Sequence, residues 1–213
     1  MHNIKIVSSA STDYEPNDNI WTDEAMMKVW AHDSEMFHEK LDACFKISAR
    51  SKIQKEFSLV ALENDKHVGS LSIEPLKYFL DELSSSHFDN YRHDPELKPF
   101  IGCVEYGNII VKQWLKDNDI APENVAHFCG LAVDPAYRKK GLGTELAKQS
   151  LMHFKKYSYL YAIGEATGDH SKKIMENFGG VSLGCLDYDT YCETNGYNKV
   201  ENHKCYCIFY VKL

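Results

Sequence analysis

Apolar and polar residues recur along this chain with two spacings, one typical of strands and one typical of helices. An apolar run that ends at Val133 predicts a buried strand, and Leu146, Leu151 and Phe154 share one face of a helix over 142–156. The alternation of strands with helices predicts an α/β protein with a mixed sheet. Strands are predicted at 4–8, 57–62, 68–73, 125–133, 158–166, 180–188 and 203–212, and helices at 22 onward, 34–47, 100–116, 142–156 and 169–178.

The chain is predicted to be one domain that covers residues 1–213. Its 213 residues can enclose a single large core, and no stretch rich in Pro, Gly or Ser divides them. Residues 75–99 are polar and contain three prolines and a run of three serines. The segment 75–118 is therefore expected to be a loop or a helical insertion within that domain.

A glycine-bearing turn joins the strand that ends at Val133 to the helix that follows. Arg138-Lys-Lys-Gly141-Leu-Gly143 places two glycines where the chain must turn tightly and where a ligand can approach the backbone. The free N–H groups at the start of the following helix are suited to a pyrophosphate. An ordinary strand–turn–helix connection is the alternative. A dinucleotide-binding turn is disfavoured because the third glycine of its fingerprint is missing.

The same segment resembles motif A of the GNAT superfamily, the acetyl-CoA-dependent N-acetyltransferases. Arg138, Gly141 and Gly143 match its Arg/Gln-x-x-Gly-x-Gly/Ala pattern in order. The resemblance implies the GNAT fold, a single, mostly antiparallel mixed sheet flanked by helices whose fourth and fifth strands splay apart. It also implies that acetyl-CoA binds with its pyrophosphate on the amides of 138–144 and its pantetheine along the preceding strand. The cofactor-binding residues expected on this basis are Leu131, Ala132, Val133, Arg138, Lys139, Lys140, Gly141, Leu142, Gly143 and Thr144.

The segment from Ala166 to Gly179 resembles the arylalkylamine N-acetyltransferases of the insect type. Many other members of the superfamily carry a tyrosine acid where this chain has Met175, and Gly180 departs from the phenylalanine usual in the insect type. The resemblance implies dopamine, serotonin, octopamine or tryptamine as substrates. An acetyltransferase for polyamines or other aliphatic amines is one alternative, and a module that binds acyl-CoA without turnover is another.

The insect-type enzymes imply a catalytic glutamate near the start of the chain and two hydroxyls four residues apart. Thr167 and Ser171 have that spacing, although both also suit the capping of a helix. Glu35 is the candidate glutamate by its distance from the strand at Phe57, and an insertion of a few residues would move the role to Asp33 or His38. A solvated acid in a helix is the alternative for Glu35.

His127 is the rival candidate for the base. His127 and Cys129 resemble the two alternate positions that carry histidines in the vertebrate arylalkylamine enzymes. Residues i and i+2 of a strand point to one face, so the two side chains are expected to lie together. A buried, hydrogen-bonded core histidine is the alternative interpretation.

Composition restricts the partners. The net charge of −7 disfavours nucleic acid and is compatible with a cationic amine. No apolar run approaches the roughly 20 residues of a membrane span. No metal is expected, because histidine spacings typical of metal sites are missing. Seven cysteines without a Cys-x-x-Cys pair predict reduced thiols and a cytoplasmic location. Whether the chain is a monomer or a homodimer is left open.

Overall fold

The computed structural model describes residues 4–14, 40, 48–200 and 203–213. Within these ranges seven strands form one sheet in the order β1-β2-β3-β4-β5-β7-β6. All neighbours pair antiparallel except β4 and β5, which are parallel. The strands are β1 (Ile4–Ser8), β2 (Leu59–Glu63), β3 (Lys66–Pro75), β4 (Val125–Val133), β5 (Tyr161–Ala166), β6 (Val181–Asp187) and β7 (Cys205–Lys212).

Helices cover both faces of this sheet. The segment 75–118, predicted as a loop or a helical insertion, is mostly helical, whereas the helices predicted from 22 and over 34–47 lie outside the described residues apart from Lys40. None of the helices in the described ranges has the length and apolar character needed to cross a membrane. The helices are α1 (Ser48–Phe57), α2 (Leu76–Leu83), α3 (Ser86–Asp89), α4 (Lys98–Asp117), α5 (Leu142–Lys156), α6 (Asp169–Asn177) and α7 (Tyr188–Asn195).

Two apolar layers separate along the strands with the expected period of two. On β4, Val125 packs with the layer under α2, α4 and α7, whereas Ala126 and Phe128 pack with the layer under α5 and α6. On β5, Ile163 belongs to the first layer and Ala162 to the second. Segment 75–118 therefore contributes to the main core through α2 and α4.

The two central strands, β4 and β5, separate after four residue pairs. Their parallel register runs from Val125 opposite Tyr161 to Phe128 opposite Gly164. Beyond that point β4 continues to Val133 beside β3, while β5 continues to Ala166 beside β7. The splayed central strands that the GNAT resemblance predicted are thus confirmed, together with the mixed, mostly antiparallel sheet.

The expectation of reduced thiols is wrong for two cysteines, because Cys185 on β6 and Cys207 on β7 form a disulfide. They are directly opposed in the antiparallel register, with 4.1 Å between their Cα atoms. They are 22 residues apart in the chain, so no local spacing indicated the pair. Four further described cysteines are thiols, namely Cys103, Cys129, Cys192 and Cys205, and Cys44 lies outside the described residues.

Candidate active site

Three neighbouring strands place a histidine between two glutamates. His127 on β4 is opposed to Glu74 on β3, and its Nδ1 lies 3.3 Å from Glu74 Oε1. Its Nε2 lies 2.8 Å from Oε2 of Glu165, which extends from β5. The histidine side chain is 2% exposed and that of Glu74 is fully enclosed, whereas Glu165 is 13% exposed. Glu165 is therefore the carboxylate of this trio that solvent can reach.

Cys129 joins this array through a bulge in the sheet. The β3–β4 register shifts between Ser72 and Ile73, which leaves Cys129 as an extra residue on β4. Its thiol donates to Glu74 Oε1 at 3.1 Å, and its Sγ lies 3.5 Å from His127 Nδ1. The contact shows that the two side chains lie together, as their alternate spacing predicted.

Two further side chains complete the surroundings of the array. Gln54 on α1 donates from Nε2 to Glu74 Oε2 at 3.4 Å. The ring of Phe79 on α2 lies 4.3 Å from the His127 ring, centroid to centroid, with 34° between the planes. Glu74 thus accepts hydrogen bonds at both oxygens, which offsets the cost of enclosing its charge. We refer to Glu74, His127, Cys129 and Glu165 as the acid–histidine array.

The array favours a protonated imidazole. Burial opposes a charge on His127, but the Glu165 carboxylate and the Cys129 sulfur outweigh it and hold the pKa of His127 well above its usual value. A ring that already carries its second proton cannot take another from an amine. The proton-accepting atoms of the array at neutral pH are therefore carboxylate oxygens, and Glu165 is the more accessible of the two glutamates.

The glycine-bearing turn that precedes α5 has the geometry of an anion site. Gly141 has a φ of 84°, which glycine adopts without strain, and α5 begins at the next residue. Lys139 also has a positive φ, of 59°. The first N–H groups of the helix have no partner within it, and the side chains of Arg138, Lys139 and Lys140 are exposed beside them.

Side-chain contacts hold this turn in place. Arg138 Nε donates to the carbonyl of Val133 at 3.0 Å, and Lys140 Nζ donates to the carbonyl of Ala136 at 2.8 Å. Tyr137 Oη donates to Glu63 Oε2 at 2.5 Å, which ties the turn to the β2–β3 hairpin. Lys140 also lies over the Tyr137 ring, 5.3 Å from its centre. The turn is therefore anchored to the sheet.

The end of β4 and the first turn of α5 lie together. A Cβ built on Gly143 would come 3.4 Å from Leu131 Cδ2 and 3.8 Å from Val133 Cγ2. Ile174 on α6 borders the same position at 3.5 Å. The fit to acetyl-CoA is good, since one region combines a strand edge beyond Phe128, free helix amides and basic side chains. Among the other residues expected to bind the cofactor, Ala132 and Leu142 are buried and Thr144 is exposed.

The hydroxyl candidates lie where β5 leads into α6. Ser171 Oγ donates to the carbonyl of Gly168 at 2.9 Å and accepts from the N–H of Gly168 at 3.3 Å, so it caps the helix. Thr167 follows two residues after Glu165, and its carbonyl accepts from Tyr188 Oη at 3.1 Å. The capping interpretation therefore holds for Ser171, and a catalytic role for either hydroxyl stays a prediction.

The structure describes Met175 but not Glu35, the two remaining positions that the sequence singled out. Glu35, like its neighbours Asp33 and His38, lies outside the described residues. Met175, the position that the GNAT resemblance compared with a tyrosine acid, is 8% exposed and belongs to the apolar layer under α5 and α6. Its Cε would lie 3.3 Å from a Cβ at Gly164. Met175 therefore packs against β5 where that strand still pairs with β4.

Sequence reasoning missed both glutamates of the array. Glu74 ends the apolar stretch of β3, and Glu165 follows Gly164 in an otherwise apolar strand. A charged residue inside a buried strand is a signal, because burial of an unpaired carboxylate is costly. The signal did not reveal the partner, since His127 is 53 residues from Glu74 and 38 from Glu165.

Two groups of side chains in the described ranges could supply metal ligands. Glu74, His127 and Cys129 each offer a ligand atom, and these atoms lie within 4.8 Å of one another, as do the sulfurs of Cys185, Cys205 and Cys207. Hydrogen bonds engage the first group and the disulfide engages two members of the second. The expectation that no metal is required stays a prediction.

Comparison with known proteins identifies the family. Residues 18–179 match the model of the acetyltransferase (GNAT) family, so the chain belongs to that family, as its glycine-bearing turn predicted. No curated protein sequence matches it significantly.

Solved structures with the same fold include several N-acetyltransferases. Arylalkylamine N-acetyltransferase 2 of Aedes aegypti is 16% identical, with a TM-score of 0.67 over 99% of both chains. An agmatine N-acetyltransferase, solved as a serine-to-alanine mutant without ligand, is 13% identical, with a TM-score of 0.66 over 99% of this chain and 100% of its own. A Drosophila melanogaster polyamine N-acetyltransferase that forms N-acetylagmatine is 14% identical, with a TM-score of 0.62 over 99% of this chain and 100% of its own.

The solved structures support the GNAT fold, and membership of the family identifies the type of reaction. The protein is an N-acetyltransferase, and enzymes of this family use acetyl-CoA as the acetyl donor. The array surrounds the last residue pair that β4 shares with β5, and the glycine-bearing turn follows the end of β4 at Val133. The described residues thus combine helix amides and a strand edge on β4 with carboxylates that can accept a proton.

The raised pKa of His127 predicts how stability depends on pH. A group whose folded pKa is raised stabilises the protein below its unfolded pKa, about 6.5 for histidine, and loses that contribution as pH rises through the folded value. Urea denaturation should show a free energy of unfolding that falls through the alkaline range, and His127→Gln should remove this part of the fall. His153→Gln is the control, because burial lowers the pKa of His153. Identical pH profiles for wild type and His127→Gln would contradict the assignment.

The glycine-bearing turn predicts a second outcome. Gly143→Glu should abolish acetyl-CoA binding in calorimetry, because a carboxylate in the first turn of α5 would repel the pyrophosphate from the amides. The Cβ itself meets only ordinary contacts, so the fold should be retained. Met152→Glu adds the same charge to an exposed position of α5 and should bind acetyl-CoA like wild type. Wild-type affinity in Gly143→Glu would refute the placement of the pyrophosphate.

Proposed function

We propose that this protein transfers the acetyl group of acetyl-CoA to the primary amine of a small arylalkylamine. The acid–histidine array carries the proposal, because it places accessible carboxylate oxygen where the two central strands separate. A primary amine has a pKa near 10 and must lose a proton before it can attack. The array supplies an acceptor for that proton.

The donor is proposed to bind along the edge of β4 and on the turn before α5. Acetyl-CoA supplies the activated acetyl group as a thioester. The exposed side chains of Arg138, Lys139 and Lys140 and the first amides of α5 suit its phosphates. The edge of β4 from Leu131 to Val133 suits the amide-bearing pantetheine, since β5 no longer occupies it. Backbone N–H groups of this edge can also stabilise charge on the thioester oxygen.

Glu165 is proposed to take the proton of the amine, directly or through water. Its Oε2 lies 2.8 Å from His127 Nε2, and this contact orients the carboxylate toward the histidine. Glu35 keeps the same role as an alternative through the resemblance to the insect-type enzymes. Thr167 and Ser171 stay candidates to donate a proton to the departing thiolate, and Ser171 would first have to leave its cap.

The acceptor class rests on the segment 166–179, which resembles the insect-type arylalkylamine enzymes. One of the solved structures with this fold is an arylalkylamine acetyltransferase, and others act on agmatine or form N-acetylagmatine. The second candidate is therefore an acetyltransferase for polyamines or related aliphatic amines. Two carboxylates around one imidazolium leave a net negative charge, which would favour a substrate with more than one cation.

A panel of amines separates these classes. CoA release should favour tryptamine, dopamine, serotonin or octopamine over spermidine and agmatine by at least about tenfold in kcat/KM, or roughly 1.4 kcal/mol of transition-state binding. Equal or faster turnover of spermidine or agmatine would favour the aliphatic class. Acetyl-CoA binding in calorimetry without CoA release for any amine would instead indicate a non-catalytic module.

Glu165→Gln tests the proposed base. The amide keeps an oxygen near His127 but cannot take a proton, so kcat/KM should fall by about 10²–10⁴-fold and recover in part at alkaline pH, where the free amine is abundant. Glu176→Gln, at an exposed position of α6, is the matched control and should behave like wild type. If Glu35 is the base, Glu35→Ala will show the alkaline recovery and Glu165→Gln will retain nearly full activity.

A further inference from the structure

Three cysteine sulfurs lie together on β6 and β7, the two strands beyond β5. Cys185 on β6 is bonded to Cys207 on β7, and the sulfurs of Cys185, Cys205 and Cys207 all lie within 4.8 Å of one another. The Sγ of Cys205 is 3.2 Å from the Sγ of Cys207. A sulfur in a disulfide has no proton to give, so the thiol of Cys205 is the donor in this contact. The disulfide therefore accepts a hydrogen bond at its Cys207 sulfur.

The two sulfurs of the disulfide differ in their access to solvent. Cys207 is fully buried in the apolar layer under α5 and α6, whereas Cys185 is exposed. A thiolate attacks a disulfide along the line of the two sulfurs, from the side opposite the one that leaves. Beyond Cys185 this line leaves the described sheet, because β6 is its last strand. Beyond Cys207 it runs into β5, where Ala166 is directly opposed. Cys185 is therefore the sulfur that an external thiol can reach.

The hydrogen bond from Cys205 favours the same direction of reaction. Attack on Cys185 makes Cys207 the departing sulfur, and this sulfur leaves with a negative charge. A buried charge without a partner is costly, but the thiol of Cys205 already donates to this atom. A thiolate that is better stabilised leaves faster. On the other sulfur, the hydroxyl of Ser182 is 3.6 Å from Cys185 in an exposed contact that water can replace. The geometry thus favours Cys185 as the attacked sulfur and Cys207 as the leaving one.

We propose that Cys185 is a modification site for low-molecular-weight thiols, which it takes up as a mixed disulfide. This inference does not depend on the proposed acetyltransferase function. The incoming thiol gives its proton to solvent, its sulfur bonds to the Sγ of Cys185, and the bond from Cys185 to Cys207 breaks. The electron pair of that bond leaves on the Cys207 sulfur, which Cys205 stabilises until solvent protonates it. One disulfide replaces another, so the step needs neither an oxidant nor a reductant.

The modification changes how the edge of the sheet is held. The disulfide ties β6 to β7 covalently, and after the exchange β6 is held to β7 by its antiparallel pairing and side-chain packing. Attack of the Cys207 thiolate on the modified Cys185 expels the small thiol and restores the tie. The modification is therefore reversible, and its extent depends on the concentration of the external thiol.

Reduced glutathione is the probe that tests the site. The full chain with its disulfide is mixed with glutathione under nitrogen, and samples are quenched in acid at successive times, because protonated thiols do not exchange. Without an oxidant a free thiol does not take up glutathione, so an adduct can arise only from a disulfide. We expect the intact mass to rise by one glutathionyl group. Peptide mapping should place that group on Cys185 and find Cys207 as a free thiol.

Variants test the part played by Cys205. Cys205→Ala removes the donor to the leaving sulfur, so the second-order rate of disulfide opening should fall by about three- to tenfold. Ser182→Ala is the matched control, because it removes the contact to the attacked sulfur and should react like wild type. If Cys205→Ala does not fold, Cys205→Val gives the same comparison, since valine lacks a donor and suits a strand.

Three results would overturn the proposal. The first is glutathione on Cys207 or Cys205 in place of Cys185. The second is opening of the disulfide with no glutathione adduct at any time, or a chain in which Cys185 and Cys207 are both alkylated before any thiol is added. The third is a rate of opening in Cys205→Ala or Cys205→Val equal to that of wild type.

Discussion

The short parallel contact between β4 and β5 is the constraint on which the rest of the site depends. The two strands share only four residue pairs, and each then follows its other neighbour. A sheet whose central strands separate exposes backbone groups that a ligand can satisfy in place of a strand. His127 lies within the shared pairs, and Cys129 lies just beyond them. The acid–histidine array and the unpaired edge of β4 therefore adjoin each other because β4 and β5 separate at this point.

Burial at this point requires the charges to be balanced. The side chains of His127 and Glu74 are almost fully enclosed, and an isolated ion in such a place would be strongly destabilising. Each is instead satisfied by neighbours on three strands and one helix, with Gln54 on Glu74 and Glu165 on His127. Removal of one partner leaves the others uncompensated, so the members are expected to act as a unit. The partial exposure of Glu165 gives this enclosed network its contact with solvent.

Local features of the structure could be predicted from the sequence, whereas contacts between distant residues could not. The predicted helix over 142–156 coincides with α5, and the positive φ of Gly141 agrees with a tight turn. Within segment 75–118 the helix predicted over 100–116 coincides with α4. No separate helix was predicted for α2, although Leu76, Phe79, Leu80 and Leu83 form its buried face, because the prolines and serines of 75–99 indicated a loop. The pairing of Glu74 with His127 and of Cys185 with Cys207 depends on strand register, which no local pattern contains. The bulge at Cys129 is hidden for the same reason.

The order of the sheet has a consequence for how the protein forms during translation. β7 lies between β5 and β6, although the ribosome makes residues 205–212 after both of them. Until those residues emerge, one edge of β5 and the whole of β6 have no partner within the described sheet, and unpaired edges invite association with other chains. A nascent chain that pauses before residue 205 should therefore depend on chaperones, and the disulfide between Cys185 and Cys207 can form only after residue 207 has been made.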